Sequence, residues 1–422
     1  MATVTAKARY EQLKVRRHPF LQRARECARL TIGTLLPPEG HNSSAIFQEN
    51  FQSLGARAVT SLASRILMAM YPPGMSSFRF GIPPETVMKM EDGVVPPSLE
   101  RNLAKAETLV TSEIENSAWR QPTHLALQYL IVTGNVLEYM LPDNTIRLYR
   151  LDQYVIVRDP VGRVKEIVIE EWLSRHSLSN ELADIAKGTE TNDNVAIYTH
   201  IKCLSDGSYT VYQELSDKVV PDSRGKYKAG QLPFKAHRWT AVIGEDYGRG
   251  KIEEHYADLS ALDGLTKAFL DGAALASRHI TMVKPNASGG LNLKNRIVKA
   301  NNGDVIIGDV DDVDMLQYEN AVGLQFTQGG VVELKKELQA AFLMNQSASR
   351  DAERVTAYEI RMLIEELENT LGGVYSILSV EMQAWRLDRL VIQMQSQQKL
   401  PVWDKKSVKP IVLTGLEALG RE

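Results

Sequence analysis

The residue types that could do chemistry are present in this chain, but their spacing does not assemble them. Gly248-Arg249-Gly250 precedes a helical pattern, as a phosphate-binding turn would, yet the Gly-x-x-x-x-Gly-Lys spacing that wraps backbone amides round a phosphate is missing. It reads as a helix entry. Asp309-Val-Asp-Asp-Val-Asp314 opens like a calcium loop but places Asp314 where the loop needs glycine and Asn320 where it needs a bidentate acid. Asp309, Asp311, Asp312 and Asp314 therefore read as a solvated acidic surface suited to docking. Eight histidines are scattered, none at the spacing of paired metal ligands. Glu365, Glu366 and Glu368 would be the carboxylates of a metal-dependent nuclease, but adjacent helix positions point apart, and an exposed helix face is the simpler reading. No Gly-x-Ser-x-Gly motif occurs, and neither Cys27 nor Cys203 sits in a histidine context. The expectation is a protein with no catalytic residues, no metal and no cofactor.

The elements that would position these residues are mostly helical, with a β-rich insert. A polar loop, Asn345 to Arg354, ends at the capping box Thr356-Ala-Tyr-Glu359, where the Thr hydroxyl and Glu carboxylate can each satisfy a free backbone N–H. Apolar residues then recur at helical spacing from Ile360 through Leu367, Leu371, Leu378 and Met382 to Trp385, and no proline intervenes before Pro401. That predicts a helix about 60 Å long, bent at Gly372-Gly373, where no side chain packs. So long a helix is not covered by its own chain; assembly into a ring or bundle would cover it.

Upstream, a basic amphipathic helix over Tyr10 to Leu30 is predicted to break near Pro19. Its arginines are either a solvated face or an arm reaching a neighbour. Helical patterns follow over Phe51 to Ile66, after Pro97-Ser98, and after Pro122-Thr123 as far as Val136. Residues 144–243 change texture. Strands are predicted over Ile146 to Arg158, Val164 to Glu170, Val195 to Leu204 and Ser208 to Glu214, the last two joined at Asp206-Gly207, with Trp239 to Ile243 as the last. The chain turns helical again from Tyr247, passes Pro285 to Gly290 as flexible punctuation and Ile297 to Met315 as a loop-and-strand module, and ends in a helix over Phe326 to Met344. The fold class is α+β.

A chain of 422 residues can bury a large core in several domains. Its net charge of −3 argues against tight nucleic-acid binding over the whole surface, though not against DNA sliding past. Two cysteines form no disulfide framework, the N-terminus has no signal-peptide core, and the most apolar run, Leu125 to Leu141, carries Gln128, Asn135 and Glu138. A soluble cytoplasmic product with no membrane contact is expected.

Several blocks carry a family resemblance. Phe51-Gln-Ser-Leu-Gly-Ala-Arg-Ala58, Leu62 to Ala69, Leu148 to Val155, Tyr247 to Glu254, Glu353 to Arg361, Leu367 to Leu378 and Leu413 to Arg421 resemble, in order, the head-to-tail connector (portal) proteins of short-tailed, podovirus-type bacteriophages. The resemblance implies a phage portal fold: residues 1–246 as a wing, 247–283 and 324–344 as stem helices, 284–323 as a clip, 345–355 as a tunnel loop, 356–398 as a spine helix and 399–422 as the start of a crown. It implies a homo-oligomeric ring of twelve subunits at one capsid vertex of the virion, assembled in the host cytoplasm. The implied partners are double-stranded DNA in transit, the terminase large subunit, a tail adaptor protein, and the major capsid and scaffolding proteins. The alternatives are a non-channel neck or adaptor ring and the metal-dependent nuclease above.

A channel that passes DNA must not stick to it, so a few cations should hold phosphates briefly against a neutral or acidic wall. Lys335 and Lys336 on the second stem helix, and Arg350 and Arg354 in the tunnel loop, are the candidate contacts. Pairing of the lysines with Glu333 and Glu337 is the competing reading.

Overall fold

The computed structural model describes residues 5–41, 46–47, 50–72, 77–83, 88, 96–178, 182, 185, 194–228, 230–277, 280–283, 290–300, 311, 313–316, 321–344, 357–371, 373–401, 403 and 408–412. The chain divides into two units: Met1–Gln48, Ser53–Tyr256 and Gln339–Glu422 form one, and Glu49–Gln52 with Ala257–Leu338 the other.

In the larger unit the N-terminal helix, Ala6–Arg29, starts on a buried anion. The Glu214 carboxylate accepts from the backbone N–H of Ala6 at 2.9 Å and of Lys7 at 3.4 Å, and Thr5 Oγ1 accepts from Ala8 at 3.2 Å. The break expected at Pro19 does not occur. A proline there removes the bond to the Val15 carbonyl and crowds it, and the packing of the helix on the adjacent sheet outweighs that local cost. Ala6, Tyr10 and Leu13 pack on Val155, Val168 and Tyr198 of the adjacent sheet.

That sheet is the largest among the described residues, six antiparallel strands: Tyr154–Arg158, Val164–Ser174, Asn194–Cys203, Tyr209–Leu215 and Lys218–Val219 in order, with Gly225–Tyr227 also on Tyr209–Leu215. The hairpin expected at Asp206-Gly207 is present, tied by Ser208 donating its N–H (2.9 Å) and O–H (2.6 Å) to Asp206. The single strand expected over Ile146 to Arg158 is two. A turn closed by Gln153 N–H on the Arg150 carbonyl (3.0 Å) sends Ile146–Tyr149 into a three-stranded sheet with Asn135–Met140 and Phe234–Arg238. Val136 thus belongs to a strand, because the helix Arg120–Thr133 ends at Gly134 with φ +72°. The last strand of the insert is Phe234–Arg238 rather than Trp239 to Ile243; Trp239 instead donates its N–H to the Gly134 carbonyl at 2.9 Å.

The long C-terminal helix is two helices, Ala357–Leu371 and Val374–Ser396, separated at Gly373 with φ +82°. The break falls at the glycine pair where a bend was expected, and Gly373 is the N-cap residue of the second helix. Leu367, Leu378, Met382, Leu390 and Met394 lie in the core. In the smaller unit the described elements are the helices Tyr256–Ala276, Gly290–Lys299 and Ala321–Ala341 and the antiparallel pair Ile280–Val283 with Val313–Leu316. The helix from Gly290 falls where sequence pattern gave only punctuation and loop. Among the described residues no helix is long and apolar enough to cross a membrane.

Candidate nucleic-acid interface

Lys335 and Lys336 lie on the helix Ala321–Ala341, Lys335 half-buried and Lys336 exposed. Among the described residues neither forms an ion pair with Glu333 or Glu337, both of which are exposed. The two ammonium groups are thus not neutralised by these carboxylates, the competing reading of the sequence. Arg350, Arg354 and Thr356 lie outside the described residues, as does Gly372. Glu359 is in the helix Ala357–Leu371, its side chain outside the described set. Asp309 and Asp312 are likewise outside; Asp311 is exposed and Asp314 is a strand residue in register with Met282.

The helix Val374–Ser396 is fixed to the larger unit by a buried charge cluster. Arg386 donates twice to Glu138, Nη2 to Oε1 at 2.6 Å and Nε to Oε2 at 3.0 Å, and its Nη1 reaches Thr123 Oγ1 at 2.6 Å and the Tyr71 hydroxyl at 3.3 Å. One guanidinium thus ties the helix to the strand Asn135–Met140, the helix Arg120–Thr133 and the end of the helix Leu54–Met70. Burial alone would raise the Glu138 pKa; the charges of Arg386 and His237 more than reverse this and hold it at about 2. His237 Nε2 stands 3.6 Å from Glu138, beyond hydrogen-bonding distance, and burial pushes its pKa below the usual histidine value. Lesser ties join in: Trp385 Nε1 to the Leu232 carbonyl at 3.3 Å, Arg389 Nη1 to the Gln231 carbonyl at 2.7 Å, and Gln383 to the Met70 carbonyl.

The motifs that hinted at chemistry have structural work instead. Gly248-Arg249-Gly250 is a backbone joint. Gly248 donates its N–H to Asn135 Oδ1 at 2.7 Å and its carbonyl accepts from Asn135 Nδ2 at 2.8 Å, while Arg249 exchanges backbone bonds with Thr240 at 3.0 and 3.2 Å. A Cβ on Gly250 would stand 2.7 Å from the Ile131 carbonyl, so only glycine lets the two backbones meet. Arg249 pairs with Glu245 at 2.8 Å and Glu253 at 3.0 Å. The amides and the guanidinium are spent internally, which leaves no phosphate cradle. Of the helix carboxylates, Glu366 pairs with Arg65 at 3.2 Å. No group of three or more His, Cys, Asp or Glu among the described residues could hold a metal ion. Burial pushes the Cys27 thiol up to about 12, so it is an inert core residue.

Sequence reasoning missed the Arg386–Glu138–His237 cluster. The only local signal was charge inside apolar runs: Glu138 within Leu125 to Leu141, Arg386 between Trp385 and Leu387.

Comparison with known proteins gives a concordant result. Residues 3–422 match the bacteriophage head to tail connecting protein family. The Portal protein of Escherichia phage T7 is 34% identical over 430 residues, covering 99% of this chain and 79% of that protein. The Portal protein of Enterobacteria phage T3 is 33% identical over 429 residues with the same coverage. A chain from the neck of an empty gene transfer agent particle, computed with C6 symmetry, superposes with a TM-score of 0.43 at 9% identity, covering 85% of this chain and 80% of the other.

Proposed function

The chain belongs to the family of bacteriophage head-to-tail connecting proteins, and from that premise we propose that it is the subunit of a portal ring at the head-tail junction of the virion, the channel through which double-stranded DNA enters and leaves the capsid. It acts by assembly, shape and charge and is not an enzyme. The match across residues 3–422 carries this reading, because it spans both units rather than one module.

The smaller unit supports assembly into a ring. Phe326 and Val322 on the helix Ala321–Ala341 are 86% and 79% exposed, while Ala257, Ala261, Gly264 and Ala268 line an exposed face of the helix Tyr256–Ala276. Bulky apolar groups on one helix and small residues on another suit head-to-tail contact between copies, which closes into a ring when the rotation fits. Burying Phe326 alone would contribute about 2 kcal/mol per contact.

In this reading residues 1–246 are the wing, the helices within 247–283 and 324–344 the stem, 284–323 the clip, 345–355 the tunnel loop, 356–398 the spine and 399–422 the start of a crown. Lys335, Lys336, Arg350 and Arg354 touch passing phosphates, and Asp309, Asp311, Asp312 and Asp314 present a docking surface to the terminase large subunit and then to a tail adaptor. Twelve subunits are the expected count. Electron microscopy of the purified protein, with native mass as a check, tests the proposal: rings of about twelve copies round a duplex-wide hole are expected, and a protein that stays monomeric at high concentration would refute it.

A further inference from the structure

A groove of about 670 Å³ opens in the larger unit between the six-stranded sheet, the strand Phe234–Arg238 and the helix Val374–Ser396. Its floor is apolar, with Ile167, Leu232, Phe234, Trp239, Leu378 and Trp385. Ile377 and Val161 also line it and are 66% and 78% exposed. The walls carry four cations, Arg158, Arg163, Lys235 and Arg238, against one carboxylate, Glu381. Among the described residues none of the four forms an ion pair within 4.0 Å.

The guanidiniums of the two inner arginines donate to carbonyls, with the carboxylates of Asp246 and Glu381 nearby but in no ion pair with them. Arg158 donates to the carbonyls of Asp246 (3.0 Å), Gly162 (3.0 Å) and Ala236 (3.1 Å), and Arg238 to that of Glu245 (3.2 Å). Burial and the neighbouring Arg238 charge push the Arg158 pKa down to about 10. Four cations, with Glu381 in the lining and Asp246 beside Arg158 but no direct ion pair among them, leave a positive excess that an incoming anion would offset. Duplex DNA offers phosphates but nothing to fill an apolar floor. A polypeptide with apolar and acidic side chains offers both.

We propose that this groove docks an acidic amphipathic segment of a partner protein, with its apolar side chains on the floor and its carboxylates against Arg163, Lys235 and Arg238. The pairing would offset the groove's excess of positive charge and cover Ile377 and Val161.

The test uses the full chain and a fluorescein-labelled decapeptide alternating glutamate and leucine, followed by anisotropy. Saturable, salt-sensitive binding is expected, with a shift of tryptophan emission from Trp239 and Trp385. Arg163→Glu with Lys235→Glu should weaken it about tenfold or more at unchanged melting temperature, while Arg163→Lys restores it. No binding up to about 1 mM overturns the proposal, as does binding indifferent to the double variant. A ten-residue oligothymidylate that binds through the same residues more tightly than the peptide would assign the groove to nucleic acid instead. Peptide binding lost on ring assembly would assign it to a second copy, and would equally overturn the proposal.

Discussion

Arg386 and Glu138 meet at 2.6 Å with neither side chain exposed to solvent. They lie 248 residues apart in the chain, and the bidentate pair locks the helix Val374–Ser396 against the strand Asn135–Met140. A buried pair of this kind is weak evidence of net stability, but breaking it from one side strands a charge in the core.

Glu138→Gln should therefore destabilise the folded subunit by about 3–5 kcal/mol, read from urea unfolding. Glu138→Leu combined with Arg386→Met should cost less than either substitution alone. A single-variant loss under about 1 kcal/mol would show that water already serves this pair.

Acid should weaken the same region in two stages. Burial depresses the His237 pKa, so the unfolded chain binds more protons than the folded one below the free-histidine value of about 6.5; this contribution is full above that pH and is lost as pH falls below it. Glu138 and Glu166 are both held at about 2, Glu138 by Arg386 and His237, and Glu166 by His200 and Arg9, in each case against the cost of burial. Their contribution is present above the free-carboxylate value of about 4.3 and is lost between there and about pH 2. Urea midpoints should decline gently below about pH 6.5 and fall steeply below about pH 4.5. His237→Gln should shrink the gentle limb and leave the steep one, the remainder of the gentle limb coming from His124, whose pKa burial also lowers.

Gly134→Ala tests the backbone joint. A Cβ there would stand 2.4 Å from the Arg249 carbonyl carbon, at φ +72°, whereas at Gly207, φ +78°, nothing lies within 4 Å. Gly207→Ala should cost only the left-handed strain, about 1–2 kcal/mol. Gly134→Ala should cost clearly more in the same unfolding experiment, and equal losses would mean the joint relaxes freely.

Ring assembly should depend on Phe326. Phe326→Glu is expected to give a folded subunit with unchanged circular dichroism that sediments as a monomer, and Phe326→Leu should still assemble. Rings from the glutamate variant would move the subunit contact elsewhere.

Lys335→Ala with Lys336→Ala, and separately Arg350→Ala with Arg354→Ala, should leave rings intact and reduce DNA retention during packaging. For short duplexes bound to purified rings, each lost phosphate contact should lower the salt slope by about one. Packaging and salt dependence equal to wild type would remove these cations from the channel.

Much of the local architecture was written in the order of residues. Apolar spacing of three and four marked the helices Leu54–Met70 and Pro97–Asn116, and Asp206-Gly207 marked its hairpin, because each depends on neighbours a few positions away. The ordered blocks from Phe51 to Arg421 pointed to the family that the comparisons then established. What sequence could not decide depends on groups far apart in the chain. Pro19 sits in an unbroken helix because that helix is held by the sheet beneath it, and tertiary packing outweighs a single lost backbone bond. Gly248-Arg249-Gly250 became a joint because Gly134 and Asn135 close on it across 113 residues. Arg386 and Glu138 form one unit, and Arg158, Arg163, Lys235 and Arg238 share one groove, only because folding brings distant strands and a helix together. Charge in a sequence is a local fact; whether it is paired, buried or left facing a groove is set by the fold, since electrostatic free energy depends on distance and solvent access, not on chain position.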